Sequence, residues 1–197
     1  MSDTRGRVWL IRHGATEWSE SGKHTGATDV PLIEAGEAAA RALGPVLAEE
    51  SFALVLSSPL TRARRTAQLA GLEPELTDDL LEWNYGEYEG RTTAEIRQDA
   101  PGWTVFSDGA PGGELAGEVA ARVDRVIARA KAAASDRQDV ACFAHGHVLR
   151  VLGARWVEMA PEDGRHLKLG TAALCILGYE HESPVIEVWN HTAHVPA

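Results

Sequence analysis

The stretch Val8-Trp9-Leu10-Ile11-Arg12-His13-Gly14 sets four apolar residues, mostly branched or aromatic, directly against an arginine, a histidine and a glycine. An unbroken apolar run of this length fits a strand covered on both faces, and its abrupt polar stop fits the strand's end. The same form recurs twice. Phe52-Ala53-Leu54-Val55-Leu56 runs into Ser57-Ser58-Pro59, and Val140-Ala141-Cys142-Phe143-Ala144 runs into His145-Gly146-His147.

Helical spacing separates these runs. The clearest case carries Val119, Val123, Val126, Ile127 and Ala130 on one face, with Glu118, Arg122, Arg125 and Arg129 expected to turn outward. A helix over 59–70 is expected from Ser58 as cap, Pro59 at the first helical position and Gly71 as terminator. The 35–50 segment has helical spacing through Ala39, Leu43, Val46 and Leu47, and Gly44-Pro45 should kink or split it. A further helix is expected over 147–158. Two late strands, 173–179 and 185–189, should be joined by a turn at a sheet edge. Between Glu82 and Pro111, turn residues dominate around one short helical piece at 93–98, which implies an excursion beside the sheet.

Strands alternating with helices imply an α/β fold, a three-layer sandwich whose mixed, mainly parallel sheet has helices on both faces. The 197 residues fit a single domain with an excursion at about 82–111. In such a sheet ligands bind beyond the carboxyl ends of the strands, where the three polar stops would meet. Arg12, His13, Arg62 and His145 would then form one anion pocket, helped by the first turn of the helix that carries Arg62. Neighbouring positive charge disfavours the imidazolium, leaving a lone pair on His13 free to attack phosphorus. Glu82, within Leu80-Leu81-Glu82-Trp83, is the proton donor. Its apolar neighbours should keep it protonated for a departing alkoxide, which favours mildly acidic conditions.

Composition limits the partners. The net charge of -10 argues against nucleic acid, because no excess of Lys and Arg exists to replace counterions. No run approaches the roughly 18 apolar residues of a membrane span, and Met1–Arg5 lacks the apolar core of a signal peptide, so a cytoplasmic location is expected. Cys142 and Cys175 read as small buried hydrophobes. Arg64 and Arg65 read as a solvated helix face, and His191 with His194 lacks a cysteine that would suggest a metal site. Trp18 and Tyr85 lie near enough to the catalytic motifs to border a pocket. For His147 and Arg150 a place at the pocket and a structural role are both open.

Five ordered motifs carry a family resemblance: Arg12-His13-Gly14-Ala15-Thr16-Glu17-Trp18, Thr25-Gly26 with Asp29-Val30-Pro31-Leu32, Ser57-Ser58-Pro59-Leu60-Thr61-Arg62-Ala63, Glu82 through Gly90, and Ala144-His145-Gly146-His147. Over nearly its whole length the chain resembles the histidine phosphatase superfamily, the phosphoglycerate-mutase-like group. The resemblance implies a metal-independent phosphatase with no cofactor, in which His13 is phosphorylated, Arg12, Arg62 and His145 bind the phosphoryl group, and Glu82 is acid and base. Its substrate would be a small phosphorylated metabolite, with sugar phosphates or bisphosphates expected. Substrate contacts are assigned to Thr16, Ser19, Thr25, Gly26, Tyr85, Gly146 and His147.

Three positions depart from the pattern: Ser19 where an asparagine is common, His147 where a glycine is common, and Leu115 where a serine is usual. The match is closest to broad acid phosphatases and sedoheptulose-bisphosphate phosphatases of the family. A phosphoglycerate mutase is the alternative, weakened by the short region after Gly90, where only Arg91 and Arg97 are cationic before Pro111. A non-catalytic sensor of phosphorylated ligands is the reading from another class, and a homodimer is left open.

Overall fold

The computed structural model describes residues 5–135 and 138–195, so the N-terminal stretch read for a leader lies outside it up to Thr4. Thirteen elements follow in order: β1 Val8–Arg12, α1 Glu17–Ser21, α2 Glu34–Leu47, β2 Phe52–Ser57, α3 Thr61–Leu69, β3 Glu75–Leu76, α4 Thr93–Asp99, α5 Val105–Asp108, α6 Ala116–Ala133, β4 Asp139–Ala144, α7 Gly146–Trp156, β5 Leu174–Glu180 and β6 Ser183–His191. Short 3-10 turns add to these. The sheet order is β3-β2-β4-β1-β5-β6. β1, β2, β3 and β4 pair in parallel, while β5 runs antiparallel to β1 and β6 antiparallel to β5. The mixed, mainly parallel sheet expected from the sequence is therefore present, with the late hairpin on one side.

Strand periodicity divides the core in two. Val8 and Leu10 of β1 join Val140 and Cys142 of β4 in a core closed by α6 and α7. Trp9 and Ile11 join Ala141 and Phe143 in the opposite core, closed by α2 and α3. Successive side chains of a strand point to opposite faces, so an apolar run without alternation is what a doubly covered strand requires. Among the described residues no helix is long and apolar enough to cross a membrane.

Three sequence expectations are corrected. The helix after β2 starts at Thr61 rather than 59, with Leu60 at the cap position and no side-chain cap. Ser58 does not cap that helix; its Oγ accepts from Leu60 N at 3.3 Å and bonds the His145 ring at 2.8 Å. Its far end is as expected, closed by Gly71 at φ +86° with Leu72 N–H on Ala67 O and Gly71 N–H on Gln68 O. Helix α2 is not split by Gly44-Pro45, because Pro45 falls in its last turn and Leu43 and Leu47 are buried on either side of it. Arg122 turns inward and is 8% exposed. It stands three residues after Val119 and four before Val126, so helical geometry places it over the buried face.

The loop after β1 is fixed by close backbone contact with α2. A Cβ on Gly36 would lie 2.6 Å from Ala15 N, and one on Gly14 would collide with the Gly36 carbonyl. Both obstacles are main chain and cannot rotate away. Gly36→Ala should lower stability by about 1–3 kcal/mol, as overpacking does; a urea midpoint equal to that of the parent protein would show that the two backbones can part without cost.

Candidate active site

The carboxyl ends of β1, β2 and β4 lie side by side, with Arg12 paired to Ala144 and Ser57 to Phe143. The chain continues the ladder beyond them, His13 N–H reaching Ala144 O and Ser58 N–H reaching Phe143 O, each at 3.0 Å. Parallel register thus delivers Arg12, His13, Arg62 and His145 to one edge. A cavity of about 250 Å³ opens there, with Arg12, His13, Glu82 and Gly146 among its walls.

His13 is buried and its Nδ1 lies 2.7 Å from Gly14 O. A carbonyl only accepts, so Nδ1 carries the proton and the Nε2 lone pair is free. Burial, then the charge of Arg12, then that of Arg62, hold the His13 pKa well below the ordinary imidazole value. The loop is pinned from below, where Gly14 N–H donates to Thr66 Oγ1 of α3 at 3.1 Å.

Arg62 and His145 form the base of the site rather than its open wall, and both are fully buried. Arg62 Nε donates to His145 Nδ1 at 3.1 Å, and the two Nη atoms donate to the carbonyls of Thr28, Thr25 and Gly26. Four acceptors for five N–H groups leave one donor over. Because His145 accepts at Nδ1, its proton sits on Nε2 and points to Ser58 Oγ. Burial and then Arg62 press the His145 pKa well below its usual value. Arg12 has more to spare. Its Nη1 donates to Leu169 O at 2.6 Å, while its buried Nε has no partner among the described residues. A buried guanidinium donor without an acceptor is costly unless an anion arrives.

Glu82 is 8% exposed. Its carboxylate accepts from Trp83 N–H and Val148 N–H at 2.9 Å and from His147 N–H at 3.0 Å. The sequence suggests apolar surroundings, but the carboxylate instead takes three main-chain donors. Two of them are free amides in the first turn of α7, whose cap residue His145 supplies no side-chain cap.

The assigned substrate contacts divide into two groups. Ser19, Thr25, Tyr85, Gly146 and His147 line the cavity. Thr16 is fully buried and caps α1 reciprocally with Ser19, and Gly26 serves as an acceptor for Arg62. Both therefore support the site rather than face its opening. His147 occupies a pocket wall as well as the first turn of α7, its Nδ1 2.5 Å from the Tyr85 hydroxyl. Arg150 also lines the cavity, while Arg64 and Arg65 lie on an exposed helix face as expected. The rings of His191 and His194 lie 5.9 Å apart, and no third metal-ligating side chain joins them among the described residues.

Four supporting groups escaped the sequence analysis. Arg122 donates to the carbonyls of Asp79, Leu81 and Glu82 and pairs with Glu114, holding the segment that presents Glu82. Glu89 accepts from Gly26 N–H and Thr28 N–H, so it orients the loop whose carbonyls bind Arg62. Its place in the Glu82–Gly90 motif was the available signal. His24 packs on Tyr85 with ring centroids 4.7 Å apart, and Lys23 beside it lines the same cavity.

The sequence profile described as "Histidine phosphatase superfamily (branch 1)" matches residues 8–192. An acid phosphatase of Mycobacterium tuberculosis is 40% identical over 191 residues, spanning 95% of this chain and 94% of the relative. A sedoheptulose 1,7-bisphosphatase of Saccharomyces cerevisiae is 35% identical over 182 residues, 76% of this chain and 67% of the relative. A solved structure of an open reading frame product from Mycobacterium tuberculosis superposes with a TM-score of 0.90 at 38% identity, covering 95% of this chain and 98% of the other. The structure of mycobacterial glucosyl-3-phosphoglycerate phosphatase with VO3 gives 0.83 at 31% identity, covering 94% and 98%.

Burial lowers the His24 pKa to about 4, the nearby Glu89 charge opposing the shift. Above pH 6.5 the ring is neutral in both folded and unfolded chains and contributes nothing to pH dependence. Between pH 6.5 and 4 the unfolded chain takes up a proton that the folded one resists, so stability falls, by about 3 kcal/mol at pH 4 from this ring alone. The urea midpoint should drop across that interval, and His24→Gln should flatten the slope; an unchanged slope would show that His24 is not held neutral.

Proposed function

This chain belongs to the histidine phosphatase superfamily and is a phosphatase of phosphate monoesters, and we propose that it works through a phosphohistidine on His13. The observation that carries this is the His13 ring itself, its Nδ1 proton committed to Gly14 O and its Nε2 lone pair left free beside Arg12 and Arg62. In the first step Nε2 attacks phosphorus, the ester P–O bond breaks, and Glu82 in its acid form gives its proton to the departing alkoxide. In the second, the Glu82 carboxylate takes a proton from water as the water oxygen bonds to phosphorus. The N–P bond breaks and phosphate leaves.

Arg12, with an unpaired Nε, and Arg62, with one N–H in excess of its acceptors, supply the donors for charge that develops on the phosphoryl oxygens. His145 supports the grip by fixing the Arg62 guanidinium through Nδ1, its Nε2–H turned to Ser58 Oγ. No step calls for a metal or cofactor. We read the chain as one domain in which the excursion at 82–111 carries the acid and one cavity wall, acting in the cytoplasm on small phosphorylated metabolites. Sugar phosphates or bisphosphates fit this reading, since the sedoheptulose 1,7-bisphosphatase and glucosyl-3-phosphoglycerate phosphatase named among its relatives are sugar-phosphate enzymes by name.

Hydrolysis of p-nitrophenyl phosphate should survive EDTA and fall by at least about a thousandfold in His13→Ala, as loss of a covalent nucleophile does. Acid-labile, base-stable label on the protein after mixing with a labelled substrate is the direct sign of the intermediate. Activity that chelator abolishes and His13→Ala retains would reject the mechanism. With 3-phosphoglycerate, free phosphate should appear faster than any isomer; the opposite order would make the protein a mutase.

A further inference from the structure

The loop at 168–173, just ahead of β5, meets the catalytic residues on its inner side. Leu169 O accepts from Arg12 Nη1 at 2.6 Å, Ala172 N–H donates to His13 O at 3.0 Å, and Ala173 O accepts from Arg12 N–H at 3.1 Å. A guanidinium is planar and rigid, so the place of Leu169 O sets where the remaining Arg12 donors aim, the unpartnered Nε among them. Packing leaves little slack, since a Cβ on Gly146 would stand 3.4 Å from both Cζ and Nε of Arg12.

Three side chains from the end of the chain hold the same loop from its outer side. Trp189 Nε1 donates to Lys168 O at 2.7 Å, Gly170 N–H donates to Asn190 Oδ1 at 2.7 Å, and His194 Nε2 donates to Ala172 O at 2.9 Å. Asn190 reaches the loop because of a bulge in β6. Leu174 pairs with His191 and Ile176 with Val188, so Trp189 and Asn190 together face the single residue Cys175. Asn190 takes φ +58°, a left-handed value that asparagine tolerates better than most residues, and its N–H rests on Cys175 Sγ at 3.3 Å. Bulges of this kind re-aim side chains beside active sites. Ala172 is left-handed too, at φ +53°, a conformation that persists in alanine only where its surroundings impose it. Here His13 O takes its N–H from within and His194 takes its carbonyl from without.

We propose that Asn190 is a positioning residue for Arg12, setting the aim of the phosphoryl-binding guanidinium through the 168–173 loop. It acts through the main chain, by Gly170 N–H on one side of the loop and Leu169 O on the other. The role rests on the reading of Arg12 as a phosphoryl ligand and extends the catalytic support to the far end of β6. Because the Arg12 donors answer charge that develops on the phosphoryl oxygens, a misplaced guanidinium lowers kcat more than it raises KM.

Asn190→Gly and Asn190→Asp separate the side-chain bond from the backbone. Glycine keeps the left-handed bulge and removes Oδ1, whereas aspartate keeps both the bulge and an oxygen acceptor. With p-nitrophenyl phosphate, Asn190→Gly should lose about tenfold in kcat/KM, mostly in kcat, and inhibition by orthovanadate should weaken by a like factor. Its urea midpoint should stay close to that of the parent, and Asn190→Asp should restore the parental rate. In an Arg12→Ala background, Asn190→Gly should add less than about twofold, because residues that act through one group are not additive. Parental kcat/KM in a folded Asn190→Gly, or its full loss repeated on top of Arg12→Ala, overturns the positioning role. Where Asn190→Gly does not fold, Trp189→Phe, which keeps an aromatic ring and removes the donor to Lys168 O, takes its place with the same expected direction. Parental activity in Arg12→Ala overturns instead the reading of Arg12 as a ligand, and a parent protein that releases no phosphate overturns the phosphatase reading beneath both.

Discussion

Arg62 is fully buried, and its guanidinium is held by three main-chain carbonyls and one imidazole, with no carboxylate in ion-pair contact among the described residues. Burying an arginine this way costs several kcal/mol in desolvation, which carbonyl dipoles offset without cancelling the charge. A carboxylate partner would have lowered that cost and removed the positive field. The field is what the site uses. Burial is the larger cause that disfavours protonation of His13 and His145, and the field of Arg62 adds to it in both.

The carbonyls that hold Arg62 must themselves be aimed inward, and a carboxylate one layer out does this. Glu89 takes the N–H groups of Gly26 and Thr28; the first belongs to the peptide unit whose oxygen, that of Thr25, meets Arg62, and the two bonds together fix the loop that also presents the oxygens of Gly26 and Thr28. The fit leaves no room for a side chain at Gly26, where a Cβ would lie 2.6 Å from Glu89 Oε2 and 2.7 Å from Trp83 O. Thr25-Gly26 and Glu89-Gly90 are thus two halves of one support, 63 residues apart at the Gly26–Glu89 contact. The negative charge is kept one peptide away from the guanidinium it helps to hold.

Much of this was legible from short-range pattern. Val8 through Ile11 showed no alternation because both sheet faces are covered, and the polar stops after three such runs marked one edge because parallel strands end together. The remainder depended on contacts that no local pattern encodes. Ser58 looked like a helix cap, yet tertiary packing gives its hydroxyl to His145 and delays the helix to Thr61. Pro45 looked like a break, yet so near the end of α2 it removes little and the burial of Leu43 and Leu47 prevails. Arg122 looked solvated because it is charged, although its spacing placed it on the buried face; its partners lie about 40 residues away, on the segment from Asp79 to Glu82.

That last contact bears on how Glu82 is kept in register with His13 and His145. Glu82 is fastened from behind by Arg122, through its own carbonyl, and from in front by the amides of His147 and Val148. Those amides open α7, whose preceding residue is His145, so the carboxylate substitutes for the side-chain cap that His145 cannot provide. A displacement of Glu82 would strand the buried Val148 N–H, at a cost of about 1–3 kcal/mol when unsatisfied, together with the part-buried His147 N–H. Glu82 therefore moves with the start of α7, and the start of α7 moves with His145. Since β4 delivers His145 and β1 delivers His13 in adjacent register, the placement of Glu82 relative to His13 follows from the sheet and one helix terminus.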